Sequence, residues 1–249
     1  MENIKMKSYL RSFVHQCGKK LLRYCGEFQG KHSQLPCTPF LENSHFECAK
    51  NLEQNWDKIN EEFKQVWEQP DQIPSFHEIS PDQKRISKGK KWKTFALFIF
   101  ANEVTENCKL CPDTTKILKG IDGLQNAWFS ILAPGYKIPP HRGPTRALIR
   151  CHLGLLIPED KYSCWIRVDK QKKYWEAGTC MFFDDTFEHE VQNNTSEYRA
   201  VLFIDLDRPM DRIGRVFNKS LLAIVQSSHY VKDPLRNLKK WNASIRNRN

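Results

Sequence analysis

The chain has 249 residues, 40% hydrophobic, 27% charged and 12% aromatic, enough large apolar surface to offset chain entropy in one sizeable domain, which excludes global disorder. Its formal charge of +10 is gathered at the ends, six Lys/Arg against two Asp/Glu in residues 1–30 and ten against two in residues 208–249; such ends attract an anionic membrane surface or nucleic acid, or serve as solubilising faces. The longest apolar run, Phe95 to Ala101, falls well short of the roughly 20 residues that span a bilayer, no compact apolar signal stretch opens the chain, and nine scattered cysteines do not form the even framework of a secreted module. A cytoplasmic protein, at most peripheral to the membrane, is expected.

From Tyr9 to Leu22 the apolar residues Leu10, Phe13, Val14, Cys17 and Leu21 recur at helical spacing among Lys7, Arg11, Lys19, Lys20 and Arg23, predicting a basic amphipathic helix within residues 1–30 that docks on the protein or on an anionic bilayer. A Gly/Pro/Ser-containing stretch from Gly30 to Pro39 follows. Leu52, Trp56, Ile59, Phe63 and Val66 then make the stripe of a second helix, which Pro70 stops. Lys84 to Lys93, with six basic residues, reads as a solvated loop. Cys108 and Cys111 have half the spacing of a zinc site, but without a second pair they read as ordinary thiols.

After about residue 91 the pattern changes to short runs rich in Phe, Ile, Val and Trp, separated by Pro, Gly, Asn and Asp. Strands are predicted at 92–101, 127–132, 146–157, 164–168, 174–175, 179–183, 189–192 and 198–206, a mainly β fold with flanking helices best satisfied by a double-stranded β-helix, the cupin-like jelly roll. The main domain accordingly runs over 31–210, a helical lead-in to about 90 and the jelly roll from about 91, with a basic helical extension over 211–249.

In the strand around residue 150, Arg150, His152 and Gly154 share one face and Ile149, Cys151, Leu153 and Leu155 the other. A guanidinium and an imidazole on an inner face are costly to bury unless an anion meets them. Arg199, in the apolar run Tyr198 to Leu206, repeats the argument: its partner is an internal carboxylate or a bound one. His141, after Pro139 and Pro140, and His189, after Asp184 and Asp185, stand where strand pairs open into turns. Neutral imidazoles suit Fe(II), and a keto acid chelating the metal needs few protein ligands.

The run from Ala127 to Pro209, with Trp-Phe-Ser-Ile-Leu-Ala-Pro-Gly at 128–135, His-Arg-Gly-Pro-Thr at 141–145, Arg-Cys-His-Leu-Gly-Leu at 150–155, Phe-Asp-Asp-Thr-Phe-Glu-His-Glu-Val at 183–191 and Arg-Ala-Val-Leu-Phe-Ile-Asp at 199–205, closely resembles the aspartyl/asparaginyl β-hydroxylase family of Fe(II)- and 2-oxoglutarate-dependent dioxygenases. More weakly, the resemblance extends upstream to about residue 50. It implies iron ligands at His141 and His189 and 2-oxoglutarate contacts at Ser130, Arg150, His152 and Arg199, with Arg199 and Ser130 on the distal carboxylate. The usual third ligand, Asp or Glu two residues after the first histidine, is replaced by Gly143; the peptide-hydroxylase branch of the family resembles this chain in that respect, and Asp184 or Asp185 would then support a water-completed centre.

The resemblance leaves the acceptor as an aspartyl/asparaginyl residue or a lipid acyl chain. Leu148 stands where the peptide hydroxylases carry a substrate-binding Arg, and the sequel Asp207-Arg-Pro-Met-Asp-Arg with Val216-Phe-Asn-Lys resembles bacterial lipid A 2-hydroxylases. The expected partners are 2-oxoglutarate, O2 and a lipid or peptide acceptor, with nucleic acid disfavoured. Two other readings compete with an enzyme: a non-catalytic jelly-roll module holding a small anion in the Arg/His pocket, and a peripheral membrane or nucleic-acid binder working through the basic ends.

Overall fold

The computed structural model describes residues 24–246; the helix expected at 9–22 lies outside them. A short helix (α1, 24–31) leads to a two-residue strand (β1, Phe40–Leu41). The stripe that read as one helix is two, α2 (Glu47–Gln54) and α3 (Trp56–Trp67), broken at Asn55. The break leaves the stripe intact: Leu52, Ile59 and Phe63 are buried in one cluster against the larger sheet, with Trp56 and Val66 packed on it, each burial contributing about 1.5–3 kcal/mol. After α4 (Phe76–Ile79), whose Ser75 and Glu78 form a reciprocal capping box, come β2 (Trp92–Ile99), β3 (Asn102–Glu103), α5 (Thr105–Leu110) and α6 (Pro112–Lys119). Glu62 of α3 caps α6, its carboxylate accepting from the backbone N–H groups of Asp113 and Thr114, both at 2.8 Å.

The β-rich half contains β4 (Leu124–Leu132), β5 (Lys137–His141), β6 (Leu148–Leu156), β7 (Cys164–Val168), β8 (Gln171–Tyr174), β9 (Cys180–Phe183), β10 (His189–Asn193) and β11 (Arg199–Asp207). They form two antiparallel sheets, β1-β9-β6-β11-β4-β2-β3 and β5-β10-β7-β8. This is the expected double-stranded β-helix. The sequence pattern missed β5, because Pro139 and Pro140 disqualify a central strand; β5 sits at a sheet edge, where a missing N–H costs nothing. The strand placed at 174–175 ends one residue earlier and starts three residues sooner.

The larger sheet is covered on both faces, so its strands read as nearly continuous apolar runs. Ala200, Leu202 and Ile204 meet the helices, while Val201 and Phe203 join Ile138, Cys164, Ile166, Val168 and Val191 of the smaller sheet inside the jelly roll. Gly154 is demanded by close packing: a Cβ there would strike the backbone of Glu176, and its carbonyl accepts from Trp56 Nε1 at 2.7 Å. The C-terminal helices α7 (Arg212–Ser227) and α8 (His229–Arg246) fold back on the domain. Val231 and Leu238 are buried with the inner cluster, and Asn237 and Trp241 donate to the carbonyls of Ile79 and Gln72.

Cys108 and Cys111 are buried thiols pushed up in pKa, mainly by burial, and no group of three or more metal-ligating side chains occurs among the described residues. In the basic run, Lys93 is on β2, buried, with its ammonium on the carbonyls of Pro70 and Ile73.

Candidate functional site

His141 ends β5 and His189 begins β10, and the two are directly paired across the smaller sheet. Their rings lie 4.1 Å apart between centroids. Each Nδ1 faces a carbonyl two residues upstream, His141 on Pro139 at 2.8 Å and His189 on Phe187 at 3.0 Å. A carbonyl only accepts, so each Nδ1 carries the proton and each Nε2 of the neutral ring keeps its lone pair. Nε2 of His189 is buried without a partner. Burial, reinforced by Arg150, lowers the His141 pKa to about 4, and burial with His141 and Arg150 beside it lowers that of His189 well below the usual value. Two neutral, oriented imidazoles with outward lone pairs are what a divalent transition metal requires.

The turn before His189 is rigidly held. Asp184 accepts from the backbone N–H and hydroxyl of Thr186 at 3.0 and 2.6 Å and forms a buried ion pair with Arg208. The backbone carbonyl of Asp185 accepts from Gly143 N at 2.7 Å, tying the end of β5 to this turn. A Cβ built on Gly143 would fall on the Asp185 carboxylate. Asp185 thus stands beside the two histidines from a different element, and burial raises its pKa to about 6, partly countered by Arg150.

Arg150 and Arg199 have opposite environments. Arg150 is bound by two carboxylates, Asp205 with Nε–Oδ1 at 2.9 Å and Asp185 with Nη2–Oδ2 at 3.0 Å, and rests over the Phe203 ring at 4.3 Å. Arg199 is 1% exposed and has no carboxylate partner among the described residues. Its guanidinium lies over Trp175 at 4.5 Å, Nη1 reaches the carbonyl of Ser130 at 3.4 Å, the thiol of Cys164 is a further polar neighbour, and Nε is buried unsatisfied. Burial lowers its pKa to about 10. A buried, unpaired guanidinium is a standing cost of several kcal/mol that a bound carboxylate would relieve.

Around Arg199 the other donors are also unspent. Ser130 sits on β4 opposite Val201, next to Arg199 along the same face, and accepts from Trp92 Nε1 at 3.0 Å, leaving its own hydroxyl proton free to donate. Thr94, across from Ser130 on β2, has a buried hydroxyl without a partner. His152 receives Trp175 Nε1 on its Nδ1 at 3.3 Å, so its proton is on Nε2, which is buried and unpartnered. Burial together with Arg199 and Arg150 holds His152 neutral, its pKa well below the usual value. The Phe183 ring contacts both His152, at 5.0 Å, and His189, at 5.9 Å.

The six residues singled out in the sequence therefore line one interior. His141 and His189 form one end; Arg199, Ser130 and His152 form a donor-rich floor; Arg150 is part of an internal ion-pair network. Trp175, Asp205 and Thr94 belong to the site and were not expected. Asp205 was legible in principle, since it shares the face of Arg199 and Phe203 by strict alternation.

The family model for aspartyl/asparaginyl beta-hydroxylase matches residues 53–209. An ornithine lipid ester-linked acyl 2-hydroxylase from Rhizobium tropici is 37% identical over 211 residues, covering 85% of this chain and 75% of that protein. The aspartyl/asparaginyl beta-hydroxylase of Homo sapiens is 32% identical over 173 residues, 68% of this chain, which spans only 22% of the human protein's length. Among solved structures, a Pseudomonas putida prolyl-4-hydroxylase aligns with TM-score 0.39 and 16% identity over 61% of this chain and 87% of that one.

Proposed function

Because the chain belongs to the aspartyl/asparaginyl β-hydroxylase family, we propose that it is an Fe(II)- and 2-oxoglutarate-dependent hydroxylase whose acceptor is a lipid acyl chain. The observation that carries this reading is the orphaned set of polar atoms in one interior: Nε2 of His189, Nε2–H of His152 and the unpaired guanidinium of Arg199. The first wants a metal, the other two an anion, and a keto dicarboxylate bound to iron would satisfy all three.

His141 and His189 would hold the metal through Nε2. Arg199, Ser130 and Thr94 would bind the distal carboxylate of 2-oxoglutarate, and His152 would donate to its other end. When bound, iron and 2-oxoglutarate supply the oxidation that an unactivated C–H bond needs, one oxygen of O2 going to the acceptor and the other to succinate as CO2 leaves. The protein's work is positioning and exclusion of water. Trp175 fixes Arg199 from below and His152 from the side, so both donors are oriented before the ligand arrives. Arg150, already neutralised by Asp205 and Asp185, holds the Asp185 carboxylate in the space beside Gly143, where it would be placed to accept from a water bound with the metal.

The acyl acceptor is supported by similarity to the Rhizobium tropici acyl hydroxylase, which extends over most of the chain. The interior supports it physically. Trp128 and Phe203 stack at 4.0 Å, Phe76 meets Trp128 at 6.0 Å, and Leu148 adds no cation for an acidic acceptor.

Anaerobic addition of Fe(II) and then 2-oxoglutarate should produce the weak visible charge-transfer band of a keto-acid chelate, with succinate released when air is admitted. Ester-linked acyl lipid in mixed micelles should accelerate succinate formation and gain a hydroxyl. Folded protein giving neither band nor succinate would overturn the enzyme; succinate without acceleration by any acyl lipid would overturn the acceptor.

A further inference from the structure

Helix α7 is amphipathic twice over. One side, Gly214, Asn218 and Leu222, is buried against the domain. The opposite side exposes Ile213 at 64%, Val216 at 68% and Ile224 at 67%, although large aliphatic side chains gain most from leaving water. Separations of three and eight residues bring these three onto one side of a helix, with the small Ser220 between them and Ala223 at the edge beside Val216. Along one edge of this stripe run Arg212, Arg215 and Lys219, all exposed and without an ion pair among the described residues. An aliphatic ridge bordered by cations is the pattern of a helix lying in a membrane interface.

We propose that this face of α7 docks the protein on an anionic lipid bilayer, presenting the catalytic interior to the membrane surface. The proposal rests on the acyl-lipid reading above for its purpose, but not for its geometry. Charge complementarity selects the occupant. Residues 212–246 contain eight Lys/Arg and the single acid Asp233, and cations near an anionic surface contribute about 1 kcal/mol each. Residues 1–23, the other candidate to cover the ridge, hold six Lys/Arg against one Glu; packing them there would bring like charges together, whereas both segments favour a common anionic surface.

Position strengthens the argument. Asn218 of α7 donates to the carbonyl of Ala147 at 3.0 Å, and Gln29 bridges Asn218 at 2.8 Å and Thr145 at 3.1 Å. Those two residues belong to the loop that leaves His141. The helix that would touch lipid is therefore fastened to the segment beside the proposed metal site, and Phe28 of α1 packs its ring at a tilt against Phe217, 4.6 Å between centroids, to brace it. A protein seated on α7 needs no free diffusion of an insoluble acceptor through water.

The test is vesicle flotation of the full chain with phosphatidylcholine alone and with phosphatidylcholine containing phosphatidylglycerol, at low and high salt. The wild type should float with the anionic vesicles, less so at high salt. Ile213→Ser/Val216→Ser/Ile224→Ser should reduce vesicle affinity on the order of a hundredfold, with an unchanged melting temperature and unchanged acceptor-free succinate formation. Loss of succinate in the wild type would indict the enzyme reading alone; loss of flotation alone indicts the docking face. A wild type that never floats, a triple variant that floats equally well, or a wild-type dimer that the triple variant dissolves would each overturn the proposal, the last by assigning the ridge to a second copy of the chain.

Discussion

The carboxylate of Asp185 occupies the space into which a side chain at Gly143 would grow. The missing acidic residue after His141 and the acid four residues before His189 are thus two halves of one arrangement: negative charge beside the histidines is kept, but it arrives from the turn before β10 and is clamped by Arg150 at 3.0 Å.

Restoring the usual triad by Gly143→Asp should therefore fail. Two carboxylates would compete for one volume in a buried site, and overpacking with like-charge repulsion should cost about 2–4 kcal/mol. Thermal melting and Fe(II) titration should show a less stable protein that binds metal no better. The double variant Gly143→Asp/Asp185→Gly should recover stability. A single variant as stable as wild type would show that the two side chains do not share this space.

Arg199→Met should have little effect on the ligand-free protein. It deletes a buried charge with no carboxylate partner, and the desolvation cost removed offsets the lost contact with Trp175, leaving a net change within about 2 kcal/mol. What should disappear is the rise in melting temperature on adding 2-oxoglutarate, because that rise measures binding to the native state. Retention of the 2-oxoglutarate shift in Arg199→Met would refute the assignment of this residue.

Arg150→Met should behave in the opposite way. It strands Asp205 and Asp185, both buried, without their cation, and breaking such a network costs about 3–5 kcal/mol. Urea unfolding should register this loss with no ligand present. Equal stability of the Arg150 and Arg199 variants would mean that the ion-pair network contributes nothing.

The contrast between these arginines also shows where sequence reading ends. Strand alternation placed both on the inner face and the structure agrees, since their outward neighbours Ile149, Cys151, Ala200 and Leu202 all meet the helices. Alternation cannot say which arginine finds a carboxylate, because Asp205 approaches Arg150 across the β6–β11 pairing, a register fixed only by the folded sheet. Trp175 was hidden for the same reason: it lies beyond the end of β8, and only the closure of the two sheets brings it against Arg199 and His152. The exposed ridge on α7 could be read as helical, but not as unpartnered, before the opposite side was seen packed.

Acidification should destabilise the metal-free protein through its inner histidines. His141 is lowered to about 4, and His152 and His189 are lowered well below their usual value, in each case chiefly by burial, whereas unfolded histidine titrates near 6.5. Below about pH 6.5 the unfolded chain binds more protons at these positions than the native one, so stability falls as pH falls. Asp185 works in the other direction between about pH 4 and 6, because its raised pKa of about 6 lets the native state hold a proton the unfolded chain has released; one such group does not cancel three. Replacing His152 by Gln, which can still accept from Trp175 and donate into the pocket, should flatten the dependence by one proton, about 1.4 kcal/mol per pH unit. Between pH 7 and pH 5.5 the urea midpoint of the wild type should fall further than that of His152→Gln, changing the gap between them. A gap that stays constant would show that His152 is not held neutral in the native protein.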